Sequence, residues 1–269
     1  MTRTLARAAL CLALALPLAA QAHKMWMVPS ATVLSSDEAW VTVDAAISND
    51  LYYPDHFPAQ LDTLVITAPD GTTVKPENAS TGKYRSTFDL AVPQKGTYRL
   101  ALVNQGLTAS YELDGQKKRW RGKAGELKTG VPAGAKNVQV GEMSTRVETF
   151  VTQGTPSTGA LKATNVGLEL VPVTHPNDLA AGEPAKFRLV LDGKPAANLK
   201  VIAIPGATRY RNSPDEIDTT TDKDGNFSIT FPGPGMYWVN ASAEDTHTSV
   251  KEAKQRRLAY TATFEVLPQ

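Results

Sequence analysis

The chain has 269 residues, with 28 Lys and Arg against 27 Asp and Glu, four histidines and one cysteine, and a formal net charge of +1. A nearly neutral chain has no overall electrostatic drive toward nucleic acid. The lone cysteine, Cys11, sits in an apolar run near the start, so the remainder is expected to hold no disulfide, no cysteine nucleophile and no thiolate metal site.

Residues 1–22 have the plan of a secretory signal. Arg3 and Arg7 form a positive start, "AALCLALALPLAA" is the apolar core, and Ala20 and Ala22 occupy the small-residue positions of an A-x-A cleavage site. The apolar run falls short of the roughly 20 residues that a spanning helix needs, and no second run approaches that length. The leader holds two of the 28 basic residues and none of the 27 acidic ones, so the processed chain has 26 against 27. A cut after Ala22 makes His23 the first residue; a cut after Ala19 or Ala20 leaves it internal. As first residue, His23 presents a free α-amine and a ring nitrogen to the same ion, and both groups shed protons near neutral pH. The apolar, strand-like "MWMVPS" behind it pins that end into a sheet.

Short runs rich in β-branched and aromatic residues follow: "AWVTVDAAI" (39–47), "TLVITAP" (63–69), "YRSTFDLAV" (84–92), "TYRLALV" (97–103), "ASYEL" (109–113) and "NVQVGEMSTRVETFVTQG" (137–154). Several alternate apolar with polar residues, as half-buried strands do. Pro69-Asp70-Gly71-Thr72, Gln94-Lys95-Gly96 and Asp114-Gly115 mark turns between them. Only "GKAGELKTG" (122–130) has the composition of a short helix. The polar stretch "TQGTPSTGALKATN" (152–165) marks a linker, and the predicted organisation is a leader over 1–22, one domain over 23–154, a linker over 155–166 and a second domain over 167–269. The second domain has strands in "GLELVPV" (167–173), "AKFRLVLDG" (185–193), "NLKVIAIPG" (198–206), "DTTTDKDGNFSITF" (218–231), "GMYWVNASAE" (235–244) and "AYTATFEVL" (259–267), with Asp192-Gly193 and Asp224-Gly225 at hairpin turns. Such spacing predicts an all-β chain of two tandem antiparallel β-sandwiches.

The stretches "LAAGEPAKFRLVLDGKPAANLKVIAI" and "TDKDGNFSITFPGPGMYWVNAS" resemble the Ig-like domains of a bacterial exported family, domain of unknown function 4198, which carries a nickel-uptake-related label. The start "AHKMWMVPS", the segment "YYPDHFP" and the run from "KRWRG" to "RVETFVTQG" are also similar to it, so the resemblance covers nearly all of the processed chain. The resemblance implies Ig-like sandwiches, a periplasmic location and handling of nickel or cobalt.

The four histidines form no H-x-H or H-x-x-x-H pair, so a metal site has to be assembled across loops. His56 lies in "LYYPDHFPAQ" beside Asp55, between Pro54 and Pro58, which stiffen the loop. His247 follows the strand "MYWVNASA" next to Glu244 and Asp245 and would be the ligand from the second domain; His175, before Pro176, suits a turn or hinge. The expected metal set is therefore His23, His56, His247 and Asp55. Nitrogen donors of this kind suit Cu(II) or Ni(II). The acidic string "SPDEIDTTTDKDG" (213–225) lacks a full calcium-loop spacing and suits a hairpin better. The cluster "QKKRWRGK" (116–123) is either an anion-binding surface or a solvated face with Trp120 packed inward.

The function expected is capture or delivery of Ni, Co or Cu for uptake by a non-enzymatic periplasmic protein, with an outer- or inner-membrane transporter as partner and no nucleic acid. The alternatives are an envelope interaction module, as a receptor accessory or carbohydrate-binding unit, and a copper oxidative enzyme acting through a terminal histidine. No G-x-S-x-G elbow, P-loop or dinucleotide fingerprint is present.

Overall fold

A computed structural model of the chain describes residues 23–36 and 39–269; the expected leader and its cleavage site after Ala22 lie outside the described residues. The first half contains β1 (Lys24–Pro29), β2 (Val33–Leu34), β3 (Trp40–Ser48), β4 (Phe57–Pro58), β5 (Leu64–Thr67), β6 (Thr73–Val74), β7 (Glu77–Thr81), β8 (Ser86–Ala91), β9 (Gly96–Leu113), β10 (Gln116–Gly122) and β11 (Lys136–Gln153). The second contains β12 (Leu168–Pro172), β13 (Pro184–Leu191), β14 (Lys194–Pro195), β15 (Lys200–Pro205), β16 (Ile217–Thr220), β17 (Asn226–Thr230), β18 (Gly235–Asp245) and β19 (Ala253–Val266). The segment expected to be helical forms a 3-10 turn at Ala124–Glu126 and a single α-turn at Leu127–Gly130.

Two of the three expected Asp-Gly turns form hairpins; Asp224-Gly225 instead carries the chain from β16, which pairs with β15, to β17, which pairs with β13 in a different sheet. Asp114-Gly115 and Asp192-Gly193 both take positive φ, at 53° and 74° and at 49° and 76°, as a two-residue hairpin turn of primed type demands. In the acidic string, the Asp222 carboxylate is spent on its own turn. It accepts bonds from the backbone N–H groups of Asp224 and Asn226 and from the Asn226 amide.

Three sheets result. β1, β3, β8 and β7 form one, with β4 also on β3; β12, β13 and β14 form another, with β17 on β13. Between them runs a ten-stranded sheet in the order β16-β15-β18-β19-β11-β9-β5-β6, with β10 and β2 attached to β9 and β11. This sheet crosses the expected domain boundary. β11 of the first half and β19 of the second pair in parallel from Val140↔Ala253 to Thr149↔Thr263, in a fold otherwise built mainly of antiparallel pairs.

Strand alternation explains how one sheet serves two cores. Along β11, Val147 and Val151 join Tyr98, Leu100 and Leu102 of β9 in the core beneath β3 and β8. Phe150 points the other way and joins Tyr260, Ala262 and Phe264 of β19 in the core beneath β13 and β17. The two outer sheets thus cover opposite faces of the central one, and every residue from Arg146 to Gln153 is buried. The segment 155–166 is packed rather than free: Ala160 and Leu161 are buried in a 3-10 turn, and the Lys162 carbonyl accepts a bond from Arg99.

Being buried on both faces, β11 takes charge inside. Arg146 pairs with Glu148 at 3.1 Å and with Glu169 at 3.3 Å, Arg99 lies 3.9 Å from Glu148, and the Tyr260 hydroxyl donates to Glu148 at 2.8 Å. Thr164 closes the group through bonds to Glu169 and Arg146. The cluster balances two guanidiniums with two carboxylates, the condition for tolerating charges away from water. His175 sews the same seam. The Asn177 N–H donates to its Nδ1, which leaves the proton on Nε2, facing Thr97 at 2.9 Å and the Ser157 carbonyl at 3.3 Å. Burial lowers the pKa of this imidazole.

Candidate functional site

Two strands that flank β3 bring His23 and His56 together. β1 lies on one side of β3 in the register Lys24↔Ser48, and β4 lies on the other with Phe57↔Ile47. Each histidine immediately precedes its strand, so both reach the same end of β3. Their rings stack there, with centroids 3.7 Å apart and planes 15° from parallel. Phe57 meets the His56 ring at 4.0 Å in an edge arrangement. His23 is exposed and His56 half-buried.

The supports beneath this pair are specific. Trp26 is buried, and its indole N–H donates to the Ser48 hydroxyl at 2.7 Å, which in turn donates to the Asp50 carbonyl at 2.6 Å. The Met25 carbonyl accepts a bond of 3.0 Å from the Trp238 indole of the second half. These bonds fix the backbone on either side of the end of β3.

The loop 49–56 is held from both halves of the chain. Asp55 closes it internally, accepting from the Asn49 N–H at 3.0 Å and from the Asn49 amide. Thr208, in the 3-10 turn Thr208–Tyr210, accepts the Leu51 N–H at 2.9 Å and donates to Asp50. Tyr52 adopts a left-handed φ of 67°, unusual for a bulky residue and the mark of a backbone held by its surroundings. Its ring lies on Gly206, where an added methyl carbon would come within 3.0 Å of the ring and 3.1 Å of the Met236 carbonyl oxygen. The Tyr52 hydroxyl is buried without a hydrogen-bond partner among the described residues, and burial drives its pKa far up. Tyr53 stands edge-on to Tyr210 at 5.8 Å, beneath the Arg209 guanidinium at 5.6 Å. Phe57, beside His56, and Tyr210, beside Tyr53, are 55% and 73% exposed, so the loop carries an exposed aromatic rim.

The other expected ligands lie elsewhere or are occupied. Asp55 is committed to Asn49. His247 stands beyond the end of β18, 84% exposed, its Nδ1 3.7 Å from Asp245. Asp245 belongs to β18 at the opposite end from Trp238, seven residues or about 23 Å along an extended strand. The structure therefore joins His23 with His56 and leaves His247 apart from them. Among the described residues, no three His, Cys, Asp or Glu side chains gather closely enough to hold a metal ion. The side chains that the structure brings together supply two ring nitrogens, those of His23 and His56.

Thr208, Tyr210 and Gly206 have no counterpart among the residues expected from sequence. Their signal was the run "PGATRYRNSP" (205–214), a loop of turn-forming residues that nonetheless carries an aromatic and three arginine or threonine side chains. Arg211 organises it, donating to the carbonyls of Pro205, Gly206 and Pro214 and pairing with Asp215.

No helix among the described residues is long and apolar enough to cross a membrane. No curated protein matches the sequence. Among solved structures, the chain is similar to the D0-D1 domain of intimin, with 13% identity over 90% of this chain and 97% of that one and a TM-score of 0.22. It is also similar to the human OSCAR ligand-binding domain, with 11% identity over 91% and 100% of the two chains and a TM-score of 0.20. A family model described as "Domain of unknown function (DUF4198)" matches residues 20–245, a span that takes in the first sandwich, the second up to the end of β18, the His23–His56 pair and the loops that support it. The chain belongs to the DUF4198 family.

Proposed function

We propose that this protein is a non-enzymatic, periplasmic binder of a divalent transition ion, nickel, cobalt or copper, which it captures or delivers for uptake by a membrane transporter. The ion is held by His23, through its ring and its freed α-amine, and by His56. One observation supports the reading above others: two of only four histidines, 33 residues apart in sequence, lie ring to ring at 3.7 Å, one ahead of β1 and the other at the end of a loop braced by both halves of the chain. Two imidazole nitrogens on one ion, each about 2.0–2.1 Å from it, are at most about 4 Å apart. The stacked rings aim their in-plane lone pairs side by side, so holding one ion requires the two ring planes to swing open until a nitrogen of each falls within that span. An all-nitrogen set of two rings and an amine suits Cu(II) and Ni(II). Of the neighbouring carboxylates, Asp55 is engaged by Asn49 within the loop and Asp50 accepts a bond from Thr208 of the second half.

The test is calorimetric titration of protein beginning at His23 with Cu(II), Ni(II) and Co(II). One ion should bind with micromolar affinity or better. One additional residue ahead of His23, or His56→Ala, should weaken binding at least tenfold, about 1.4 kcal/mol. Equal affinity for the extended form removes the α-amine as a ligand, and equal affinity for His56→Ala removes the pair. The exposed Phe57 and Tyr210 favour a second reading, in which the same rim docks an envelope partner without metal. Chelator-insensitive binding to envelope fractions would distinguish it.

A further inference from the structure

A second concave site lies away from the His23–His56 pair, at the end of the central sheet where β10 joins β9. It is a groove of about 670 Å³ across β10, β9, β11 and β19. Strand register builds it: Arg121, Thr108, Gly141 and Gln255 oppose one another in a row across the four strands, and residues so opposed project from the same face. The next row runs Arg119, Ser110, Gln139. Arg119 and Arg121 stand on one bank, Lys254 and Arg257 on the other, and hydroxyls and amides line the floor, which Gly141 leaves open at its centre.

The charges of this groove are available. Among the described residues, Arg119, Arg121 and Lys254 form no ion pair. Arg257 has only an exposed pairing with Glu244 at 3.5 Å. The one acid in the lining, Glu142, is occupied at both oxygens by the Ser249 N–H and hydroxyl, at 2.7 and 2.9 Å. Four cations around one spoken-for carboxylate concentrate positive potential in a chain that is otherwise almost neutral. A second hollow of about 420 Å³ shares Met143 and Arg257 with the first and runs on to β18, so the trough is elongated across five strands.

We infer that this groove binds a polyanionic glycan, an extended sugar chain with repeated acidic groups. The arginines and lysine match carboxylates or phosphates along the chain, and the Thr108, Ser110 and Gln139 groups of the floor match sugar hydroxyls. A single-stranded nucleic acid needs aromatic faces on which to stack bases. The only aromatic in the lining, Trp120, has its indole pressed on Gly122 and Gly130, where an added methyl carbon would come within 2.4 and 2.0 Å of the ring. Trp120 alternates with Arg119 and Arg121 along β10, so its ring lies on the other face of the strand and offers no stacking platform in the groove.

The test uses metal-free protein, so it stands or falls apart from the histidine site. Oligogalacturonate should bind with an affinity that falls as salt rises from 50 to 200 mM, because exposed charges are screened. A neutral glucan oligosaccharide of equal length should bind at least tenfold more weakly. The Arg119→Gln, Arg121→Gln double variant should lose tenfold or more, and Lys254→Gln severalfold. These side chains are exposed, so the melting temperature should hold and a loss of binding reports the groove. Equal binding of the neutral sugar, undiminished binding by the double variant, or tighter binding of single-stranded DNA would overturn the assignment. Binding of polyphosphate with none of oligogalacturonate would overturn its glycan part.

Discussion

Glu148→Gln tests whether the charge buried at the seam is structural. The substitution keeps the volume of the side chain and one acceptor oxygen while removing a charge. Arg146 at 3.1 Å and Arg99 at 3.9 Å then share the single carboxylate of Glu169, which only Arg146 reaches at 3.3 Å. The Tyr260 hydroxyl, which donates to Glu148 at 2.8 Å, faces the amide NH2, a second donor, in one of the glutamine's two orientations. Removing one partner of a buried ion pair typically costs about 3–5 kcal/mol, against total stabilities of about 5–15 kcal/mol. For a chain of this size that corresponds to a fall in melting temperature of about 6–20 °C, at roughly 2–4 °C per kcal/mol. Urea unfolding followed by circular dichroism and by tryptophan fluorescence measures it. The loss should appear in one transition by both probes, because β11 and β19 share the sheet. Glu244→Gln is the control: it breaks only the exposed pair with Arg257 and should cost under about 1 kcal/mol. A cost below about 1 kcal/mol for Glu148→Gln would refute the argument.

Gly206→Ala should destabilise the protein by about 1–3 kcal/mol, the usual cost of overpacking, because the new methyl meets the Tyr52 ring and the Met236 carbonyl. Displacing Tyr52 moves the loop that ends at His56, so ion affinity should fall along with stability; unchanged affinity would separate that loop from binding. For His175, burial lowers the pKa, so its neutral form is the one that suits the folded state. Stability should be complete above the ordinary histidine value of about 6.5 and decline as pH falls below it, because the unfolded chain takes up the proton first. Thermal melts between pH 7.5 and 5 should show this slope, and His175→Asn should flatten it.

The sandwich architecture is legible in this sequence because each strand is written locally, in alternation and in Asp-Gly turns. The pairing of β11 with β19 is not, since its partners are more than a hundred residues apart and parallel pairing leaves no turn between them. For the same reason "RVETFVTQ" looks half-exposed: Arg146 and Glu148 carry the composition of a solvated face, yet their charges balance within the fold. Of the expected ligands, His23 and His56 meet because each precedes a strand that flanks β3. His247 follows a strand whose far end carries it away, and no local pattern reports which end of a strand faces the site. Asp55 lies beside His56 in sequence, but its short side chain turns back to the Asn49 N–H, as aspartates in tight loops often do.

The shared central sheet also decides how this chain can be divided. A break near residue 166 would leave β11 and β19 each with about ten residues of open backbone N–H and C=O groups, flanked by Phe150 on one strand and Phe264 on the other. Open strand edges of that length template self-association. Each sandwich therefore relies on the other to cover its edge of the central sheet, and either half expressed alone should self-associate.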